Sequence, residues 1–276
     1  MRPRPAVLAL VLAAAAAVAA GCGVSSTLDP VASAATKTQK AGAAHMTLRM
    51  TFDSPALGGK PVTMSGTGVL DGDRGELTVD MSQLMRASGA PSTAGRFHEI
   101  FLRENGDYVL YLQMGLLEQL TGGKHWVKLD LSKAGDKLGI DFDKLMQGGA
   151  SQDPTQLLAM LRASAGRVQT VGTERLDGTA TTHYKATVDL YDAAKVKGVS
   201  ADAVQKLVDA GAPIMIPEDV WVGADGLVRR LRVAYSMTTA GVPLRMTMQM
   251  DLGDWGAAAS IVAPPAADVL DASELR

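Results

Sequence analysis

The chain has 276 residues, 27 Lys and Arg against 29 Asp and Glu, and a formal net charge of −2. No basic block exists, which excludes a nucleic-acid partner, and a single cysteine excludes a disulfide frame. The fold must be held by its core. That core is drawn from 47% hydrophobic residues with only 4% aromatics but 14 methionines, so soft, flexible side chains fill it.

Arg2 and Arg4 open the chain, and an apolar run from Ala6 to Ala20 follows, closing on Gly21 and Cys22. This is the layout of a secretory signal over 1–21: charged start, short apolar stretch, small residues before cleavage. The run is shorter than the roughly 18 residues of a membrane-spanning helix. Small residues directly before the lone cysteine resemble a bacterial lipobox, with Ala19 where Leu is usual. Cleavage before Cys22 and lipidation of its thiol are expected. Residues 22–30 then form a lipidated tether, and 31–276 a single domain.

Pro30 starts a helix through about Gly42. Met46, Leu48, Met50 and Phe52 then alternate with Thr47, Arg49 and Thr51, which predicts a strand. Residues 61–70 and 74–81 form a hairpin around Asp71-Gly72-Asp73. Residues 82–95, rich in Ser, Gly, Ala and Pro, read as a mobile loop. Strands at 96–103 and 107–113 flank Asn105-Gly106, a hairpin signal. Residues 124–131 make a strand with Trp126.

Residues 132–166 turn helical, with Asp153-Pro154 as the sharpest start and Leu157, Leu158 and Leu161 on one face. A hairpin over 167–176 and 180–190 turns at Asp177-Gly178. Ser200 caps a helix through Ala210, closed by Gly211. Residues 214–222, 227–238 and 242–252 form a meander. In its last strand Met246, Met248, Met250 and Leu252 alternate with Arg245, Thr247, Gln249 and Asp251, so one face is apolar and the other wet. From Pro264 the tail is an extended wrap ending in a helical turn. The fold class is α+β: about ten antiparallel strands in one large sheet, with a few helices over its apolar face.

Chemistry-bearing motifs are scarce. His45, His98, His125 and His183 fall on strands without ligand spacing, so no metal and no cofactor is expected. No Gly-x-Ser-x-Gly elbow, P-loop or dinucleotide fingerprint occurs, and catalysis is not expected. Gly66 and Gly68 lie within a strand, where they serve close backbone approach or a bulge. The pairs Asp141/Asp143 and Glu218/Asp219 read as caps and solvated turns. Arg230 and Arg232 share the polar face of a strand whose apolar face takes Arg229. They read as a charged sheet surface or as a contact for an anionic head group. The methionines line either a plain core or a ligand cavity, since thioethers reshape around guests of variable outline. Met46, Leu48, Met50, Leu231, Met246, Met248 and Met250 are the candidate cavity-lining residues.

Late in the chain come Thr182-His183-Tyr184, then Asp219-Val220-Trp221-Val222-Gly223-Ala224-Asp225-Gly226-Leu227-Val228-Arg229-Arg230, and the tail Ile261-Val262-Ala263-Pro264-Pro265 with Asp268-Val269. With the lipobox, this assembly resembles actinobacterial LolA-like lipoproteins, including the mycobacterial LppX/LprA/LprF/LprG type, over roughly 30–276. The resemblance implies a half-barrel sheet around helices, enclosing an apolar cavity. It also implies a lipid carrier or sensor, held on the extracytoplasmic face of the cell membrane by the Cys22 anchor, and a monomer is expected. The expected ligand is an acylated lipid or lipoglycan. The alternative is a non-catalytic interaction or signalling module of the envelope with a closed core.

Overall fold

The computed structural model describes residues 30–71, 74–87, 89, 95–115, 121–131, 133, 168–192, 201–209, 213–239, 241–257 and 259–274. The signal, Cys22, the tether up to residue 29 and the helix expected around Asp153-Pro154 lie outside the described residues, as do Asp141 and Asp143.

Helix α1 spans Pro30–Gln39, α2 Ser82–Ala87 and α3 Ala201–Asp209. The strands are β1 Ala44–Asp53, β2 Val62–Asp71, β3 Arg74–Asp80, β4 Arg96–Glu104, β5 Asp107–Met114 and β6 Trp126–Asp130. They continue as β7 Gln169–Leu176, β8 Thr179–Asp189, β9 Met215–Gly223, β10 Val228–Thr239, β11 Val242–Gly253 and β12 Val269–Asp271. All twelve join one sheet in the order β12-β6-β5-β4-β3-β2-β1-β11-β10-β9-β8-β7. Every pairing is antiparallel except β12 on β6, which is parallel. The α+β class read from the sequence is therefore the one found. Sheets beyond about ten strands curl or split; this one stays continuous and curls, in keeping with a half-barrel.

Two meanders meet at the centre. β1 to β6 run outward from the middle, and β7 to β11 run inward from the far edge until β11 lies beside β1. The hairpin turns hold because their residues tolerate positive φ. Asn105 and Gly106 sit at φ 52° and 98°, Asp177 and Gly178 at 49° and 82°. Both pairs match the two-residue turn whose twist suits the flanking strands.

Two departures from expectation have local causes. Residues 82–87 are helical rather than part of a loop: the Asp80 carboxylate accepts the Ser82 N–H at 2.8 Å and starts α2. On β10 a register shift falls between Val228 and Arg230. It places Val228, not Arg229, on the apolar face, where Val228 packs with Val220 and Val222.

The sheet is covered on opposite faces at its two ends. On one face Val31 and Ala34 of α1 pack on Val220 and Val222, with Tyr184, Val228 and Leu231 around them. On the other face, the C-terminal segment brings Ile261 onto Ile100, Leu102, Val109, Tyr111 and Trp126. The tail is a short turn at Ala266–Asp268, then β12, then a turn at Ala272–Glu274.

Candidate functional site

Directly paired residues of antiparallel strands point to the same face, so the register assembles the site. Across β2, β1, β11, β10 and β9 one row reads Met64, Met50, Met248, Val233, Glu218. The next row reads Gly66, Leu48, Met250, Leu231, Val220, and Tyr184 of β8 extends it. Phe52 pairs with Met246, and Met246 with Tyr235. Met46 pairs with Leu252. The seven candidates thus share one face of three adjacent strands, although β1 and β11 are nearly two hundred positions apart in the chain (Thr51 pairs with Thr247).

Met46 is buried, and Leu48, Met50, Leu231, Met246, Met248 and Met250 are half-buried. Leu231 also packs beside the α1 cluster, so it belongs to the margin of the face where the helix sits. The Tyr235 hydroxyl points to the Met246 sulfur at 3.7 Å. Met64 and Val233 extend the same rows. They follow from the register and not from alternation within one strand.

Gly66 and Gly68 sit in this face opposite Leu48 and Met46. A Cβ at Gly66 would come within 2.8 Å of the Thr78 carbonyl oxygen, and one at Gly68 would meet the Glu76 carbonyl oxygen. Close backbone approach, one of the two expected roles, is what these glycines provide.

Glu218 corrects a reading. It is no cap or turn residue but lies inside β9, half-buried, with Val233 beside it on β10 and Ala186 on β8. Burial pushes its carboxyl above the ordinary glutamate range. Glu99 on β4 has the same character. It pairs with Leu77 and Leu112 on this face, and burial raises its carboxyl too. Sequence reasoning took Glu218 for a cap or turn and passed over Glu99, although each stands at an apolar phase of its strand.

The opposite face carries the polar chemistry. His183 Nε2 lies 2.8 Å from Asp219, and its ring stacks on Trp221 at 4.2 Å. The Trp221 indole N–H donates to Glu174, and Arg230 donates to Asp251. The motif residues His183, Asp219, Trp221 and Arg230 therefore build one cluster. Arg229 donates to Asp225. With two of the three guanidiniums on carboxylates, the charged-surface reading fits this strand.

His45, His98 and His125 likewise meet Asp254, Glu76 and Asp268. Among the described residues no group of three or more His, Cys, Asp or Glu is arranged to hold a metal. A cleft of about 320 Å³ is lined by Gly66 and by the polar residues Ser65, Thr67, Thr78, Asp80, Ser82 and Arg96, and the register sets Ser65, Thr67, Thr78 and Asp80 on the face opposite the methionines.

No family model matches the sequence. Over 265 residues the chain is 26% identical to a Streptomyces griseus protein named "Uncharacterized 31.2 kDa protein in rplA-rplJ intergenic region", across 91% of this chain and 81% of that one. Over 258 residues it is 26% identical to a "Putative lipoprotein" of Streptomyces coelicolor, across 89% of this chain and 76% of that one. Among solved structures, the Mycobacterium tuberculosis lipoprotein LppX aligns with 85% of this chain and 100% of its own, at 17% identity and a TM-score of 0.40. The chain is similar to actinobacterial lipoproteins, as its motifs indicate.

Proposed function

We propose that this protein is a membrane-anchored lipoprotein of the cell envelope that binds acylated lipids against its methionine face, as a carrier or sensor without catalytic activity. The observation that carries the reading is the face itself. Methionine and leucine side chains from β1, β10 and β11 converge on it, and most remain half-buried. Acyl chains placed there leave water, at roughly 25 cal/mol per Å² of apolar area. Thioethers suit such a guest because they repack around chains of different length and bend. Lipidation at Cys22 would hold the domain to the membrane through the 22–30 tether, with 31–276 as a single lipid-binding domain acting as a monomer.

Native mass spectrometry of protein purified from a lipid-containing host tests the reading. Adducts with acyl-lipid masses are expected, and Met248→Arg, which sets a charge in the middle of the face, should abolish them. Lipid-free masses alone, with no uptake of added lipids, would overturn it.

A further inference from the structure

An apolar face that holds acyl chains still has to choose among head groups. From β1 to β3 and from β8 to β11, the strand positions sharing the methionine face include no Lys or Arg. Their one carboxyl is Glu218, in line with Val233, Met248, Met50 and Met64. Its neighbour Asp219 alternates to the other face and is engaged by His183. Glu218 itself makes no hydrogen bond or ion pair with any described residue. Lys37, the cation of α1 nearest the sheet, lies against Gly226 at the β9–β10 turn instead.

A half-buried carboxyl without a partner among apolar side chains is costly, and a hydrogen-bonding ligand group would relieve that cost. We infer that Glu218 is the specificity-determining residue of the proposed lipid site, and that it selects neutral acyl lipids bearing a free hydroxyl over anionic ones. The inference rests on the lipid-binding reading and adds the head-group class to it.

The physical logic is one of sign. A phosphate or carboxylate head group would face a carboxyl with no cation on these strands to offset it. A hydroxyl donates to a carboxylate or accepts from a protonated carboxyl, so it pairs with Glu218 in either state. Burial already makes the ionised carboxyl costly, so a second anion beside it adds to that cost while a neutral hydroxyl relieves it.

The test compares dioleoylglycerol with dioleoyl phosphatidic acid, which share acyl chains and differ at the head. Displacement of a fluorescent fatty acid reports each affinity for the full chain, for Glu218→Gln and for Glu218→Leu. The native protein should favour the glycerol by about tenfold, Glu218→Gln, which keeps a hydrogen-bonding group but removes the charge, should retain only part of that preference, and Glu218→Leu should lose it while still binding acyl chains. A preference that survives Glu218→Leu, or equal affinities in the native protein, would overturn the inference and leave lipid binding intact. Binding of neither lipid would overturn both. Thermal melting of each variant shows that it folds; leucine fits the apolar row, so Glu218→Leu is expected to melt no lower than the native protein.

Discussion

At the scale of single residues, the methionine face contains two carboxyls that work against stability, Glu218 and Glu99. Glu218 is held above its ordinary range by burial, so the folded chain keeps that proton more tightly than the unfolded chain does. Where the folded state binds more protons, stability falls as pH rises. The loss begins at the ordinary glutamate range and is complete above the raised value. Glutamine is neutral throughout and avoids it. Glu218→Gln should therefore raise the urea midpoint at about pH 7.5, and the gain should shrink toward zero near pH 4, where the native carboxyl is protonated in both states. Asp80 and Asp271 act in the opposite sense. Hydrogen bonds from Ser82 and Ser273 hold them low, so they stabilise above the unfolded range and lose that contribution as pH falls. Comparing the variant with the native chain at each pH removes their common effect. Urea titrations at four or five pH values check this; a gain that grows toward low pH would contradict it.

At the scale of elements, strands were legible where alternation was strict and obscure where it was interrupted. β1 and β11 are plain in the sequence because apolar and polar residues trade places at each step. Short α2 was hidden inside a window rich in Ser, Gly and Ala, whose composition outweighed one capping carboxylate. Glu218 was misread for a similar reason: Pro217 and Asp219 flank it and look like a turn, while its register places it in a strand. The β10 bulge could not be read at all, since period two assigns Arg229 inward and only the partner strand shows the extra residue.

That bulge meets α1. Thr38 accepts a hydrogen bond at 2.9 Å from the Val228 N–H, beside the shift, while Ala34 is only 2% exposed against the sheet. The contact fixes the helix to the strand end that the bulge re-aims. Thr38→Val keeps the shape and removes the acceptor, leaving the amide partly buried without it. A loss of about 1–2 kcal/mol is expected from urea unfolding. Proteolysis should become faster near residues 39–43, because α1 is the element released first. An unchanged midpoint would mean that water replaces the hydroxyl at no cost.

For the whole molecule, the sequence shows which residues alternate but not which strands meet. The β1–β11 junction, which joins the candidate residues, unites the first and last long strands of the sheet. No local pattern encodes it, because closing so long a loop is rewarded only once the two apolar stripes are in contact. The same holds for the three-residue β12, too short for any periodic signal, which adds a parallel edge to β6. Lys124 donates to the Ala267 carbonyl 143 positions away, and His125 meets Asp268 at 2.9 Å.

These contacts clamp the C-terminal segment across the face opposite the methionines. Ile261, 7% exposed, then fills the space among Ile100, Leu102, Tyr111 and Trp126. Each half of the sheet thus has its cover on a different side. Weakening the C-terminal cover should therefore cost stability without touching the methionine face. Ile261→Ala is expected to lose about 2–4 kcal/mol by urea unfolding, with Trp126 fluorescence shifting as its cover thins. Its affinity for an acyl-chain probe should stay within twofold of the native protein in the native baseline. A stability loss accompanied by a large loss of probe binding would show instead that the two faces act as one unit, and that the tail helps to shape the lipid site.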